Sequence, residues 1–160
     1  MSTATEVSEI KFQVLGSLDI DEIYNFALQQ LREQNLGEVA TTFKSWQAKW
    51  RREALEHYLK LGWSFIARRD GAVVGFFLAQ PFLFFRGQTQ SLWVEWIESS
   101  GAEVTEALID VAVKVAREKH LQRVLFAEAK ELEKVTGQAL KQRRAVPLED
   151  DIVVVQTTKG

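Results

Sequence analysis

Apolar and polar residues alternate over positions 10–15, the two-residue period of a short strand. Gly16, Ser17 and Asp19 then mark a turn, after which the period lengthens. Ile20, Ile23, Tyr24, Ala27, Leu28 and Leu31 recur at the spacing of one helical face. Asp19 as N-cap with Glu22 three residues on resembles a capping box, and Asn35 and Gly37 supply the stop. A second helix is predicted over 42–61, with Phe43, Trp46, Trp50, Ala54, Tyr58 and Leu61 on its inner face and Gly62 at its end. Its other face carries Lys44, Lys49, Arg51, Arg52 and Lys60. That face reads as solvated surface or as a patch for an anionic ligand or partner.

Alternation resumes over 63–69, Asp70-Gly71 is a strong hairpin signal, and 72–80 is the returning strand. Pro81 cannot donate to a ladder, so it marks a bulge, a bend or a sheet edge, and 82–86 continues beyond it. After a turn at 87–90, residues 91–98 complete a three-stranded antiparallel meander. Ser99, Ser100 and Gly101 lead into a third helix over 103–119 with Val104, Leu108, Val111, Ala112 and Val115 as its inner stripe. Its acids come early and its bases late, as the helix dipole favours. A strand at 123–127, a fourth helix at 131–143, a break at Pro147 and a β-branched strand at 152–156 finish the chain. These elements predict one α/β domain over 1–160, with residues 1–9 expected to be disordered. Its mixed sheet joins an antiparallel meander to a parallel pair formed by the fourth and fifth strands. Such a junction lies at strand carboxyl ends, where α/β sheets usually place ligands.

Composition narrows the chemistry. The 160 residues are 46% apolar and 26% charged, enough for one core and a soluble surface. There is no cysteine, which removes disulfides, thiolate nucleophiles and Cys-ligated zinc. A net charge of −2 offers no basic excess, so no nucleic-acid partner is expected. The longest apolar run, 72–85, is interrupted by Gln80 and Pro81 and is too short to span a bilayer as a helix. No membrane association is expected. Residues 1–9 lack the basic-then-apolar pattern of a signal peptide, so a cytoplasmic location is expected. His57 and His120 are the only histidines and lie far apart, so no metal is expected. The chain contains no Walker loop, Rossmann glycine fingerprint or nucleophile elbow.

The order of elements, and above all residues 92–127 with an apolar strand, a short Gly-containing loop, an amphipathic helix and Val-Leu-Phe-Ala, resembles the GNAT (Gcn5-related N-acetyltransferase) fold. The resemblance implies that the fourth and fifth strands splay apart. Acyl-CoA, such as acetyl-CoA, would lie in the opening with its pyrophosphate on the N-terminus of the third helix. It places cofactor contacts at Ile97, Ser99, Ser100, Gly101, Ala102 and Thr105. The family loop, Arg or Gln, two residues, Gly, one residue, then Gly or Ala, falls on Ser100, Glu103 and Thr105. Glu103 replaces a glycine, and a carboxylate ~4 Å from the phosphates would cost roughly 4 kcal/mol before screening. The family's leaving-group tyrosine on the fourth helix has no counterpart in 131–144. Tyr24 and Tyr58 are the only tyrosines, so an earlier helix would have to supply one. The family's general base is often a glutamate on the fourth strand, which here means Glu95 first and Glu98 second. Glu95 stands between Val94 and Trp96, where desolvation would tune a carboxylate for base work. Simple alternation otherwise sets Trp93, Glu95 and Ile97 on one less buried face.

Phe76, Phe77, Phe82, Phe84, Phe85, Trp93 and Trp96 crowd the third and fourth strands. Alternate residues face opposite ways, so the first two helices are expected to cover one face and the last two the other. A surplus beyond Pro81 suits a homodimer or another apolar contact. Two main readings follow: an acyl-CoA-dependent N-acetyltransferase with an atypical, impaired site, and a non-catalytic GNAT-like module acting through dimerisation or a protein partner. A small-ligand sensor using the same opening fits either.

Overall fold

The computed structural model describes residues 9–85 and 87–157. The expectation of disorder for residues 1–9 therefore lies, Glu9 apart, outside the described residues. Strands β1 (Lys11–Val14), β2 (Phe65–Arg69), β3 (Ala72–Phe85), β4 (Gln88–Ser99), β5 (Arg123–Phe126), β6 (Val146–Glu149) and β7 (Ile152–Gln156) form one sheet. Its order is β1-β2-β3-β4-β5-β7-β6. Among the described residues only the β4–β5 pair is parallel. Helices α1 (Ile20–Arg32), α2 (Glu38–Gln47) and α3 (Arg52–Leu61) precede β2, and α4 (Ala102–Glu118) links β4 to β5. Helices α5 (Ala129–Thr136) and α6 (Ala139–Gln142) follow β5. No helix among the described residues is long and apolar enough to cross a membrane.

Each face of the sheet has its own cover. Ala67, Phe77, Ala79, Leu92, Val94, Val124 and Phe126 pack on α4 and α5 through Leu108, Ala112 and Leu132. On the opposite face Ile66, Phe76 and Leu78 meet Ile23, Ala27, Trp50, Leu55 and Tyr58. Phe76 and Phe77 thus divide the aromatics between two layers, as alternation requires. The helical cover on the second face stops near β4. Beyond it Trp93, Leu125 and Val154 are shielded by Phe82, Leu148 and Ile152. The Asp70-Gly71 turn has φ of 53° and 80° at its two residues, the positive pair that a tight hairpin needs.

Four local expectations are corrected. The predicted second helix breaks at Ala48–Arg51, where Ala48 and Arg51 are extended with ψ of 150° and 157°. The break turns Trp50 into the core beside Tyr24 and leaves Phe43 and Trp46, meant for the inner face, 55% and 64% exposed. The fourth helix divides at Gly137, whose φ of 82° ends α5. Pro147, read as a breaker, sits within β6, an edge strand, where a proline is tolerated. Asp19 does not cap α1; its carboxylate accepts from Gly16 N–H at 2.9 Å around a 3-10 turn. Pro81 stays in regular pairing with Leu92 at a place where β2 has ended, which is its sheet-edge reading.

Candidate functional site

One extra residue organises β4. Leu78 faces Trp96 and the next residue, Ala79, faces Val94, so Glu95 is bulged out of the ladder. Alternation restarts after it. Trp93, Trp96 and Glu98 therefore share the α1/α3 face, and Ile97 packs on the α4 side. Unbroken alternation, which grouped Ile97 with Trp93, is corrected by this bulge.

The bulge is also where β4 and β5 part. Their pairing runs from Ser91↔Arg123 to Val94↔Phe126, and Ala127 N–H closes it on Val94 O at 3.0 Å. β5 ends there, while β4 continues to Ser99 with β3 alone. Ser100 N–H bonds Val74 O of β3, so alternation turns the backbone groups of Ile97 and Ser99 the other way, where Ser99 O accepts from Gln30 Nε2 at 2.8 Å.

The opening leads to the start of α4. Gly101, the N-cap, has no side chain, and no side chain caps the helix. The first amides, on Ala102, Glu103 and Val104, have no acceptor within the helix, and they carry its positive dipole end. Ser99 Oγ lies 2.5 Å from Thr105 Oγ1 and 3.3 Å from Gly101 N, folding the loop into a tight hydroxyl-lined cup. The Glu103 carboxylate pairs with Arg69 of β2 at 3.0 Å. The pair gives the acidic side chain at the start of α4 a cationic partner from β2.

Gly75 sets how closely α4 approaches. A Cβ there would stand 2.8 Å from Glu98 O, 2.8 Å from Val104 Cγ1 and 3.0 Å from Leu108 Cδ1. Nothing local in the sequence distinguishes the close approach at Gly75 from ordinary strand usage.

The two glutamates occupy different surroundings. Glu95 pairs with Lys49 from the α2–α3 break, Oε1 to Nζ 3.0 Å. It shares a cavity of about 260 Å³ with His57 and Tyr58. Burial, with the Glu95 charge second, pushes the Tyr58 hydroxyl up to about 12, so it stays protonated near neutral pH. Tyr58 is thus the tyrosine at the bulge, delivered by α3. Glu98 accepts a hydrogen bond from Trp96 Nε1 at 3.2 Å. Burial pushes its carboxyl up to about 7, and the indole bond offsets only part of that. It lines a cavity of about 310 Å³ between α1, α2 and β4.

The cationic face of the predicted second helix is largely consumed by pairing: Lys49 with Glu95, Arg51 with Glu53 and Arg52 with Asp21. No group of three or more metal-ligating side chains occurs among the described residues.

A family model described as a protein of unknown function (DUF1999) matches residues 10–149. The chain belongs to this family. No curated protein matches it in sequence. Its fold is the GNAT fold, as solved structures show. PaiA N-acetyltransferase from Thermoplasma acidophilum, in complex with coenzyme A, superposes with a TM-score of 0.65 at 10% identity, over 92% of this chain and 98% of that one. A GNAT family acetyltransferase from Brucella melitensis, in complex with acetyl-CoA, gives 0.62 at 12% identity, over 95% and 90%. TTHA1254 from Thermus thermophilus gives 0.57 at 23% identity, over 82% and 85%.

Proposed function

We propose that this chain is an acyl-CoA-dependent N-acyltransferase, with acyl-CoA in the β4/β5 opening and Glu98 as general base toward an amine. One observation carries the reading: the strands part after Val94, and the opening runs to uncapped helix amides. The relatives solved with coenzyme A or acetyl-CoA share this fold and support it. The residues present fit the cofactor. The amides of Ala102, Glu103 and Val104, with Ser99, Ser100, Gly101 and Thr105, would hold the pyrophosphate. The backbone of Ile97 would line the path of the arm, and Arg69 keeps Glu103 from opposing the phosphates.

A bound acyl-CoA supplies a thioester carbonyl, at which an amine forms a C–N bond as the C–S bond breaks. An incoming ammonium must lose two protons overall. Glu98, ionised in a large fraction of molecules near pH 7, takes one and passes it to water; the other goes to the departing thiolate. Glu95 balances Lys49 at the bulge and assists by fixing the break between α2 and α3.

Calorimetric titration with acetyl-CoA tests the cofactor site. Binding in the micromolar range is expected, and Ala102→Pro is the discriminating variant. Proline is well tolerated at the first helical position, but it deletes one of the amide donors. Loss of one hydrogen bond to a charged group should weaken acetyl-CoA about tenfold at unchanged melting temperature. Equal affinity for both proteins would remove the helix-start site.

A second reading, a non-catalytic module working as a homodimer, is favoured by one observation. Leu83 and Phe84, beside the β3–β4 turn, are 74% and 81% exposed. If they cover one another between two copies, light scattering after size exclusion should give a dimer. Leu83→Ser with Phe84→Ser should then give a monomer. A native monomer at high concentration ends that reading.

A further inference from the structure

The cavity beside Glu98 carries more information than a proton acceptor alone. Its floor is apolar, with Leu31 and Trp50 both buried, and Trp96 forms part of the β4 wall. Exposed Gln34, Lys44 and Gln47 make its rim. It therefore offers one carboxylate and one ammonium, from different walls: Glu98 on β4 and Lys44 on α2. Neither is held in an ion pair among the described residues. Among the described residues, Lys44 has no carboxylate partner and Glu98 has only the Trp96 indole. Most nearby cations are paired, which makes this one stand apart. A volume of about 310 Å³ is at the small end for ligand cavities.

A small zwitterion with an apolar body matches all of these features. Its ammonium meets Glu98, its carboxylate meets Lys44 and the amides of Gln34 and Gln47, and its side chain covers Leu31 and Trp50. We infer that this cavity binds a free amino acid with an apolar side chain, held at its two ends by Glu98 and Lys44. The role of that amino acid as acyl acceptor rests on the acyltransferase reading; its binding does not.

The test uses the full chain without coenzyme A, titrated with L-leucine, L-leucinamide and 4-methylpentanoate, and read by calorimetry and tryptophan emission. L-leucine should bind, while the amide lacking the carboxylate and the acid lacking the amine should each bind about tenfold more weakly. Lys44→Met, a change at an exposed position, should bring L-leucine down to the level of L-leucinamide and leave L-leucinamide unchanged. Equal binding of all three ligands, or no binding of L-leucine, overturns the inference. A parallel acetyl-CoA titration separates the two ideas. Acetyl-CoA without L-leucine removes the amino-acid site and keeps the acyltransferase. L-leucine without acetyl-CoA keeps the amino-acid site and removes the acyltransferase.

Discussion

Replacing Glu98 by glutamine should lower the rate of acyl transfer by ~10²–10³ while making the protein more stable above pH 7. Glutamine keeps the shape and still accepts from the Trp96 indole, so the change isolates the charge. The carboxyl is raised from its ordinary value of 4.5 to about 7 in the folded chain. Between those values the folded state holds a proton that the unfolded state has released. Stability therefore falls as pH rises across this window and is flat above it. At ~1.4 kcal/mol per unit the loss reaches about 3 kcal/mol, less where water at the cavity rim screens the charge. Urea denaturation at pH 5 and pH 8 should show this slope in the native protein and little of it in Glu98→Gln. The native kcat/KM should climb toward a plateau above pH 7, because only the ionised carboxylate accepts a proton. A variant with full activity and the native pH slope would exclude Glu98 as the base.

A single methyl group at Gly75 should damage both stability and cofactor binding. The atoms that a Cβ would strike belong to the end of β4 and the first two turns of α4, and one of them is a backbone oxygen that cannot swing aside. Gly75→Ala should cost about 1–3 kcal/mol as these elements separate. The same displacement moves the Ala102–Val104 amides away from the opening, so acetyl-CoA affinity should fall in parallel. Gly101→Ala is the control. Gly101 is extended, with φ 177°, and a Cβ there meets nothing within 4 Å. Its cost should stay below about 1 kcal/mol, the scale of an N-cap preference. Thermal unfolding and calorimetry of the two variants decide the matter. Unchanged acetyl-CoA binding in Gly75→Ala would mean that α4 does not carry the phosphate site.

Much of this architecture could be read from residue patterns, because its elements are periodic and bounded by local signals. The Asp70-Gly71 hairpin, the α4 stripe from Val104 to Ala112 and the Val-Leu-Phe strand each declare themselves within a few residues. What escaped depends on contacts distant in sequence. The break at Ala48–Arg51 follows from burying Trp50 against Tyr24 and from tying Lys49 to Glu95. A continuous helical stripe on paper gives no hint of it. The Arg69–Glu103 pair joins residues 34 positions apart, so nothing near Glu103 in the sequence announces its partner. Choosing between Glu95 and Glu98 required knowing which residue is bulged, and two-residue alternation has no means of marking that.

The unpaired residue in β4 works as a parity switch. Before it, odd-numbered side chains such as Trp93 lie on the side of the sheet that bears the first three helices; after it, even-numbered ones do, Trp96 and Glu98 among them. Were Glu95 paired in unbroken alternation instead, the Glu98 carboxylate would point through the sheet into the aliphatic layer under α4. The extra residue thus decides which of the two packed layers receives each side chain at the end of the strand.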